Sequence, residues 1–577
     1  MSGKTKKQKK RVAIIGGGPS GLFMYKRLIQ SGRTDFEISI FEKKAQLGAG
    51  MPYSTEGAND EHVTNVSDNE IPKIVTSIEE WTQTAPKEIL ERFNIDPGRF
   101  NEYKVLPRLL FGHYLSSQFE LLQKSAELSG IITTVHLSCH ATNIIDHPDL
   151  NEVWVDVDGT GTEKFDFVII STGHNWPVKY EGTVPGYYDA PYPPSKLALK
   201  LDHPVAIRGS SLTAVDAIRT LARHNGTFRK DEAGKLSYQP AEDSTGFKLM
   251  MHSREGMLPA VRFHLEDTHL QNDSLLSEDE IAAHIAGNNG FLSLDFVFEK
   301  DFKEILRKKE PEFYQQIRDM DIEGFVTYIM KMRERLTPFE LFKAEYAEAE
   351  KSIKRKQSIY WKEMLGVLSF AMNYPAKHLS AEDMQRLQRV LSPLISIVIA
   401  YIPQSSCEEL LALYDAGVLD IVSVGTDSNV EAQKSGGAIY HFTDETDQPQ
   451  SVYYQTYIDC VGQPHLSYED FPFKGLLAKN TISPARLKFK SAEEGRRAAE
   501  NGNKNVKADS NGDYYLKVSG ITINDNFQVV DQNGAYNERI FIMAVPYIGG
   551  YNPDYSGLDF CEEASARIIK ILLKTES

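Results

Sequence analysis

Three glycines near the start of the chain separate an apolar run from an amphipathic one. In "RVAIIGGGPSGLFMYKRLIQSG", Val12 to Ile15 predict a buried strand, and the residues from about Ser20 to Gln30 predict a helix. Gly16, Gly18 and Gly21 have the spacing GxGxxG: the first makes a tight turn, the second lets a pyrophosphate approach the backbone, and the third lets helix and strand pack closely. The stretch predicts a dinucleotide site at a helix N-terminus; the alternative is a glycine turn that serves packing alone.

A carboxylate follows where the ribose of such a dinucleotide would lie. "FEISIFEKK" predicts a second strand that ends at Glu42, twenty-one positions after Gly21. A carboxylate there accepts hydrogen bonds from a ribose hydroxyl. The residues of this unit that we expect to bind the dinucleotide are Gly16, Gly18, Pro19, Ser20, Gly21, Glu42 and Lys43.

A second turn of the same kind lies in "HPVAIRGSSLTAVDAIRTLARHNG". Val205 to Arg208 predict the strand, Gly209 the turn, and Leu212 to Ala222 a helix whose small residues allow close packing. One interpretation is a second nucleotide site, and the other is that the hydroxyl side chains only cap a helix. The residues expected to bind a nucleotide here are Gly209, Ser210, Ser211 and Thr213.

An arginine ends the next strand of this second unit. "FKLMMHSREGMLP" predicts a strand that ends at Arg254, as the first unit's second strand ends at Glu42. An acid suits a free ribose hydroxyl, whereas an arginine suits a 2′-phosphate. The contrast predicts FAD in the first site and NADPH in the second; the alternative for Arg254 is an ordinary surface charge.

Two more strands end in glycine turns and suggest where each unit closes. They are "DFVIISTGHNWP" (Asp166 to Pro177) and "YIDCVGQP" (Tyr457 to Pro464). The predicted fold class is α/β, with a discontinuous Rossmann-like FAD domain, an inserted Rossmann-like NADPH domain and a helical insertion. The predicted boundaries give a disordered basic tail (1–10), an N-terminal segment of the FAD-binding domain (11–180), an NAD(P)H-binding domain (181–465) with its helical insertion at about 290–400, and a C-terminal segment of the FAD-binding domain (466–577).

The C-terminal region contains an irregular loop, "YIGGYNPDYSG", between a predicted strand (Ile540 to Ala544) and a predicted helix. A helix N-terminus carries partial positive charge. We expect the loop to bring that end to the flavin, where it stabilises negative charge on the reduced ring; the alternative is a C-terminal helix that only packs on the domain. The expected cofactor contacts here are Tyr547, Asp554, Gly557 and Leu558.

A long polar segment, Met51 to Pro72, follows the first unit's acid and predicts a loop that reaches across the flavin. The alternative is a surface excursion. The residues predicted to lie at the reacting centre are Tyr53 and Asn65 from this loop and His174 and Asn175 after the return strand, where the alternative is hydrogen bonding that orders the loop. Further expected cofactor contacts are Gly50, Met51, Pro52, Arg108, Thr172 and Gly173.

Four segments resemble a known family, the large bacterial flavoproteins with two dinucleotide-binding domains, for FAD and NAD(P). They are "LGAGMPYST" (Leu47 to Thr55), "LPRLLFGHYL" (Leu106 to Leu115), "RGSSLTAVDA" (Arg208 to Ala217) and "SREGMLP" (Ser253 to Pro259). Ser211 departs from the pattern, since a second glycine is common there. The resemblance covers most of the chain and is weakest between about 290 and 400. It implies an FAD fold shared by glutathione-reductase-like enzymes and N-hydroxylating monooxygenases, and by analogy N-oxygenation of a small amino acid, as in the aspartate N-monooxygenases that form nitrosuccinate.

The chemistry implied is hydride transfer from NADPH to the flavin, followed by reaction with O2 to give a C4a-hydroperoxyflavin that an amine lone pair attacks. The return strand ends "STGHNWP", unlike the "ADG"-type motif of aromatic hydroxylases. Two alternatives remain: an NAD(P)H-dependent flavin oxidoreductase with a non-oxygen acceptor, and a non-catalytic flavoprotein. The second nucleotide turn disfavours the non-catalytic interpretation.

The composition of the chain limits the kinds of partner molecule that we expect. The net charge of −16, from 64 basic and 80 acidic residues, argues against nucleic acid. The isolated Cys139, Cys407, Cys460 and Cys561 form neither a CxxC pair nor a metal spacing, so we expect no metal. No apolar run has membrane-spanning length, and we expect a cytoplasmic protein that acts on a small molecule, an amino acid or amine, without a membrane. The helical insertion is compatible with a lid, a substrate wall or a homodimer surface.

Overall fold

The structure is a computed structural model that describes residues 9–266, 275–464, 466–553 and 557–574. The predicted basic tail lies outside the described residues except for its last two, of which Lys10 begins the first strand. The elements before residue 201 are β1 (Lys10–Ile15), α1 (Pro19–Gln30), β2 (Phe36–Glu42), β3 (Val63–Ser67), α2 (Ile78–Thr82), α3 (Lys87–Arg92), β4 (Val105–Pro107), α4 (Arg108–Leu128), β5 (Ile132–Leu137), β6 (Ala141–His147), β7 (Glu152–Val157), β8 (Gly161–Phe165), β9 (Phe167–Ile170) and β10 (Tyr187–Tyr188).

The middle of the chain contains the second glycine turn and a long helical stretch. Its elements are β11 (Pro204–Arg208), α5 (Leu212–Asn225), β12 (Gly226–Lys230), β13 (Leu236–Pro240), β14 (Lys248–Ser253), α6 (Glu278–Gly287), α7 (Leu294–Phe298), α8 (Glu304–Lys309), α9 (Pro311–Ile317), α10 (Ile322–Arg333), α11 (Pro338–Arg355), α12 (Tyr360–Met372), α13 (Ala381–Arg386), α14 (Ser392–Ile399), α15 (Gln404–Asp415), β15 (Leu419–Ser423), β16 (Asn429–Ala432), β17 (Ala438–Thr443), β18 (Pro449–Tyr454) and β19 (Thr456–Asp459). One π-helical turn, Glu299–Lys303, joins α7 to α8.

The C-terminal region returns to the first sheet. Its elements are α16 (Lys474–Ala478), β20 (Pro484–Lys488), α17 (Ala492–Glu500), β21 (Val506–Ala508), β22 (Tyr514–Ile521), β23 (Gln528–Val530), β24 (Tyr536–Ile542) and α18 (Leu558–Lys574). Within the described ranges, none of the helices combines the length and the apolar character needed to cross a membrane.

Two parallel sheets form the frame. The first has the strand order β23-β24-β9-β1-β2-β5, in which β23 alone is antiparallel to its neighbour. The second has the order β10-β19-β11-β14-β15 and is parallel throughout. Because the first sheet takes strands from both ends of the chain and the second from between them, the predicted α/β class with a discontinuous and an inserted unit is confirmed. The predicted domain boundaries remain a prediction.

The helical insertion joins the cores of the two units. Along the chain it lies within the second unit, as predicted, yet most of its apolar side chains, such as Phe302, Phe325 and Leu368, belong to the core of the first sheet. Helix α11 contributes Phe339 and Phe342 to the core of the second sheet. The insertion therefore holds the two units together, which the sequence pattern of helical apolar spacing did not indicate.

Candidate functional site

The glycine turn after β1 has the geometry that a dinucleotide turn requires. Gly16 has a φ of +109°, and a Cβ atom there would lie 2.6 Å from the carbonyl oxygen of Ser171. A Cβ atom at Gly21 would lie 2.1 Å from the carbonyl oxygen of Gly16, so α1 crosses β1 too closely for any side chain. These distances match the turn and packing roles predicted for Gly16 and Gly21.

The turn also requires a glycine at position 17, which the GxGxxG pattern does not single out. A Cβ atom at Gly17 would lie 2.3 Å from Cδ2 of Leu47. Its N–H donates to Oε2 of Glu42 at 2.7 Å. The run of three consecutive glycines was the available signal, because GxGxxG leaves its second position open.

The N-terminus of α1 has the features of an anion site. Gly18 is the N-cap residue, no side chain caps the helix, and no acidic residue lies in its first turn. The first N–H groups of an α-helix have no intrahelical acceptor, so a phosphate can take them. A Cβ atom at Gly18 would lie 3.3 Å from Cα of Gly50, so a Gly18→Val substitution would displace that loop as well as a phosphate. Pro19 and Met51 flank this pair, and their predicted contacts to the dinucleotide remain predictions.

Glu42 lies where a ribose-binding carboxylate is expected. It ends β2, is 7% exposed, and accepts backbone N–H groups from Gly17 at 2.7 Å and Lys44 at 2.9 Å. These two bonds fix the carboxylate and leave lone pairs for a ribose hydroxyl, since a carboxylate has about four acceptor sites. Lys43 is exposed next to it.

The carboxyl end of β9 carries an unsatisfied polar group. The Thr172 hydroxyl oxygen is buried and has no hydrogen-bond partner among the described residues. A Cβ atom at Gly173 would meet no atom within 4 Å, so the protein itself does not require glycine at that position. Both observations fit a ligand that lies across this edge of the sheet.

A glutamine joins the two sheets at this edge. The Gln463 side chain accepts from the Asn175 N–H at 2.7 Å and donates to the Asn175 carbonyl oxygen at 2.7 Å. Gln463 also hydrogen-bonds the His174 side chain, while burial lowers the pKa of that imidazole. Asn175 follows β9 and Gln463 follows β19, so the carboxyl edges of the two sheets lie one side chain apart. Gln463 was missed because its partner lies 288 positions away.

The C-terminal loop contacts this junction. The Tyr547 hydroxyl is hydrogen-bonded to the Asn175 side chain, and burial raises the pKa of Tyr547. Its ring lies edge-on to Phe471 with centroids 5.1 Å apart. A Cβ atom at Gly550 would lie 2.4 Å from the carbonyl oxygen of Ser519, so the paired glycines let this loop pack on β22. The structure thus brings His174, Asn175 and Tyr547 together.

The N-terminus of α18 lies beside that of α1. Ser20 Oγ and Cys561 Sγ are 3.3 Å apart. Leu558 begins α18 directly after Gly557, whereas the predicted contact Asp554 lies outside the described residues. The first turn of α18 contains Asp559, whose carboxylate accepts from the Phe560 N–H at 2.9 Å. This acid offsets some of the positive helix end that we expected to stabilise a reduced flavin.

The other two predicted reacting-centre residues have contacts of their own. Tyr53 packs edge-on against Phe111 of α4 with ring centroids 4.8 Å apart. Asn65 has an exposed side chain on β3, and its carbonyl oxygen accepts from Arg262. The predicted place of Tyr53 and Asn65 at the reacting centre remains a prediction, and the loop that contains Tyr53 and Pro52 follows Gly50 over the end of α1.

Arg108 forms a buried ion pair between the two units. Its guanidinium donates to the Asp216 carboxylate at 2.6 and 3.3 Å and to the Val63 carbonyl oxygen at 3.0 Å. The Tyr192 hydroxyl donates to the same carboxylate at 2.7 Å. Arg108 lies on α4 and Asp216 on α5, so this buried ion pair joins the two units and leaves the guanidinium fork occupied. The predicted contact of Arg108 with the cofactor remains a prediction.

The second glycine turn reproduces the first. Gly209 has a φ of +107°, and a Cβ atom there would lie 2.9 Å from the carbonyl oxygen of Cys460. Ser211 is the N-cap residue of α5 but its side chain makes no capping bond, and Ser210 Oγ donates to the Met257 carbonyl oxygen at 2.7 Å. Capping alone therefore does not explain these two hydroxyls. Thr213 follows in the first turn of α5, which contains no acidic residue.

Arg254 lies free at the end of β14. Its side chain is exposed and forms no ion pair with any residue in the described ranges of the chain. Its carbonyl oxygen accepts from the Gly425 N–H at 3.1 Å and from Ser423 Oγ at 3.1 Å, which fixes the backbone. By contrast, Arg208 at the end of β11 is paired with Asp459 at 3.0 Å. An exposed guanidinium without an ion pair is compatible with the predicted contact of Arg254 to a 2′-phosphate, which remains a prediction.

The comparisons with known proteins agree with this organisation. Residues 13–175 match the sequence model of the family described as "FAD-NAD(P)-binding", and residues 277–399 match the "YdhS-like middle domain". The first match confirms the predicted resemblance to FAD/NAD(P)-binding flavoproteins. Over 474 residues the chain is 29% identical to "Uncharacterized protein YdhS" of Escherichia coli (strain K12), covering 81% of this chain and 86% of that relative.

Solved structures align with nearly the whole chain at low identity. The cadaverine monooxygenase DfoA of Erwinia amylovora, bound to FAD, is 11% identical with a TM-score of 0.47, covering 98% of this chain and 95% of that one. L-lysine 6-monooxygenase of Pseudomonas syringae is 12% identical with a TM-score of 0.46, covering 98% and 100%. A bacillithiol disulfide reductase of Staphylococcus aureus is 10% identical with a TM-score of 0.42, covering 99% and 100%. At these scores the likeness carries no argument about the reaction.

Proposed function

We propose that this chain, whose residues 13–175 match FAD-NAD(P)-binding proteins, is an FAD- and NADPH-dependent monooxygenase that N-oxygenates a small amino acid or polar amine with O2. The observation that carries the proposal is the pair of equivalent glycine turns, at Gly16 and Gly209, on sheets whose carboxyl edges are joined by Gln463 and Asn175. Two dinucleotides bound at these turns would have their reacting ends at the same junction.

The residues present fit both cofactors. The N-terminus of α1 would hold the FAD pyrophosphate, Glu42 its ribose, and the unpaired Thr172 hydroxyl a polar group of the same cofactor. The N-terminus of α5 would hold the NADPH pyrophosphate and Arg254 its 2′-phosphate. When bound, FAD supplies a hydride acceptor for the nicotinamide and a reductant for dioxygen.

The C-terminal loop contributes a buried wall beside the junction. Tyr547 is 3% exposed, Ile548 is fully buried and Asn552 is 2% exposed, whereas Asn175 itself is exposed. A dry wall on this side would strengthen electrostatic interactions and limit unproductive loss of a reactive oxygen species to water, as an oxygenation requires.

The positions and burial of the cysteines argue that the electron acceptor is not a dithiol of this protein. No two of the four lie at CxxC spacing. Burial raises the pKa of the Cys407 and Cys460 thiols, and raises that of Cys561 to about 12. Thiol–disulfide exchange needs a thiolate, so these groups do not relay electrons.

One observation favours the second candidate, an NAD(P)H-dependent oxidoreductase with a non-oxygen acceptor. Val178 is 70% exposed and Val461 is 61% exposed, and both lie within a few residues of the Asn175–Gln463 link. An apolar acceptor could approach the junction over such a surface. We further propose a small-molecule substrate as the partner, without nucleic acid or membrane.

The two candidate functions differ in the oxidant that takes electrons from the reduced flavin. FAD-loaded protein is reduced with NADPH without air, and reoxidation is then followed with dioxygen and with an artificial quinone, each with and without L-aspartate or L-lysine. The monooxygenase proposal expects an amine to accelerate NADPH consumption under air and to gain oxygen, as seen by mass spectrometry. Faster turnover with the quinone, and no oxygenated amine, would replace the proposal with the second candidate.

A further inference from the structure

A cavity of about 250 Å³ lies between the helical insertion and the C-terminal region. Lys377 and His378 line it from a short 3₁₀ turn, Pro375–His378, that connects α12 to α13. Asn524 and Asp525 line it from the segment before β23, and Tyr551 lines it from the C-terminal loop. Its volume suits a ligand of about amino-acid size, since pockets for drug-sized ligands run from roughly 300 to 1,000 Å³.

The cavity lies at the carboxyl edge of the first sheet. The Phe527 carbonyl oxygen, two residues after Asp525, accepts from the Ile542 N–H at the end of β24 at 2.9 Å. The Phe527 ring lies edge-on to Phe560 in the first turn of α18, with centroids 5.8 Å apart. Along this edge Glu42 ends β2, the glycine turn follows β1, Thr172 follows β9, and Asp525 lies beyond β24.

Charged groups are assembled in its wall. Asp525 Oδ1 lies 3.0 Å from Lys377 Nζ and 3.1 Å from His378 Nε2, and the Tyr374 hydroxyl hydrogen-bonds the same carboxylate. The Lys377 side chain is only 9% exposed. The Lys377 ammonium is taken out of water at a desolvation cost that packing alone does not require, whereas the Asp525 carboxylate stays 41% exposed and lines the cavity.

The histidine is oriented by the carboxylate. A neutral His378 that donates its Nε2–H to Asp525 leaves Nδ1 as an acceptor, and no described residue hydrogen-bonds Nδ1. The His378 side chain is 31% exposed, whereas Lys377 and Asp525 are held by each other. A histidine fixed on one nitrogen and open on the other is the usual arrangement of a general base.

The charged groups around the histidine are themselves paired. Lys377 faces Asp525 from the same turn, and their charges cancel. From α18, Arg567 stacks on the Tyr374 ring at 3.7 Å, but its charge is met by Glu563 at 3.1 Å and by Glu278 of α6 at 2.9 Å. Burial alone would raise the pKa of the Asp525 carboxyl, but His378 and Lys377 hold it below its ordinary value, so the group stays ionised beside the imidazole.

We propose that this cavity is the substrate pocket of the proposed monooxygenase, on which the inference rests, and that His378, oriented by Asp525, takes a proton from the substrate's ammonium group. Near neutral pH an amine is protonated and its nitrogen has no lone pair to react. In the step, one N–H bond of the ammonium breaks, the proton joins His378 Nδ1, and the electron pair stays on the substrate nitrogen. Asp525 is a positioning residue that stabilises the imidazolium.

The test uses full-length, FAD-loaded protein with L-aspartate and L-lysine as probes, and follows the kcat and KM of amine-dependent NADPH oxidation. His378→Gln is expected to lower kcat by about 10²- to 10⁴-fold and to regain rate with added imidazole. Asp525→Asn is expected to lower kcat as well, because the imidazolium loses its carboxylate. The matched control is His140→Gln, since His140 lies 3.6 Å from Asp158 in an exposed pair.

Each outcome has a defined meaning. If NADPH does not reduce the wild-type flavin without an amine, the proposed function fails. If the flavin is reduced and an amine accelerates NADPH oxidation, but His378→Gln keeps the wild-type rate, this inference alone is overturned. If neither amine accelerates NADPH oxidation by the wild-type protein, the proposed function fails for these amines and the inference falls with it.

Discussion

Gly16 and Gly209 have the same surroundings in the two units. Their φ angles are +109° and +107°, and a Cβ atom at either would meet the carbonyl oxygen at the end of the neighbouring strand, at 2.6 and 2.9 Å. Each residue sets the start of the helix whose N-terminus we assign to a pyrophosphate. Because the two turns are separate, a change in one should affect one nucleotide.

Gly209→Ala is therefore expected to weaken NADPH binding and to leave the FAD content unchanged. A side chain at this φ costs of order 1–3 kcal/mol, and relief of the strain moves the N-terminus of α5. Flavin absorbance per protein and NADPH titration would measure the two sites, with Gly287→Ala as the control, where a Cβ atom meets nothing within 4 Å. Loss of flavin with unchanged NADPH affinity would reverse the assignment of the sites.

Arg254→Ala should remove the preference for NADPH over NADH. A charge-assisted contact to the 2′-phosphate is worth roughly 1.5–3 kcal/mol, or about 10- to 150-fold in affinity, and NADH has no such phosphate. Steady-state flavin reduction with both nucleotides measures the change, and Arg229→Ala, an exposed arginine of the same unit, is the control. An equal loss for both nucleotides would assign Arg254 to the fold, and no loss for either would make it a surface charge.

Among the elements, the helical insertion contains an ionisable group at an unfavourable place. Asp301 lies in the π-helical turn between α7 and α8, is 2% exposed, and accepts the Leu276 N–H at 2.8 Å. Burial raises the pKa of Asp301 to about 6. A carboxyl whose pKa is raised by folding favours the folded state while protonated, so this contribution is lost as the pH rises from about 4 to about 6.

Asp301→Asn is expected to raise the free energy of unfolding at pH 7.5 and to change it little at pH 4. A rise of about two pKa units corresponds to roughly 3 kcal/mol, and asparagine keeps an oxygen for the Leu276 N–H. Denaturant unfolding at the two pH values measures the difference. Asp319→Asn is the control because that side chain is 87% exposed. A gain equal at both pH values would show that ionisation of Asp301 is not the cause.

Local patterns predicted the elements around the glycine turns well. The first helix was expected from about Ser20 and begins at Pro19, and the helix of the second turn was expected to start at Leu212 and does. Such elements depend on neighbours in the sequence. The link between Asn175 and Gln463 and the pair of Arg108 with Asp216 join positions 288 and 108 residues apart, and no local pattern encodes them.

At the scale of the whole molecule, the insertion links the two sheets. It contributes side chains to both cores, and the Arg108–Asp216 pair ties α4 to α5. The insertion was expected within the second unit, and its contact with the first could not be read from helical spacing. The same contact creates the cavity at His378 and Asp525. The helical insertion therefore also forms a wall of the proposed substrate pocket.

The central claim is that electrons from NADPH reach dioxygen at the flavin and that one oxygen atom enters an amine. The direct measurement is turnover of the FAD-loaded protein with NADPH, an amine and dioxygen labelled with oxygen-18, followed by mass spectrometry of the amine and a count of the NADPH consumed. We predict label in the amine, with NADPH consumption that rises with the amine. Label found only in hydrogen peroxide or water, with NADPH consumption indifferent to every amine, would contradict the account.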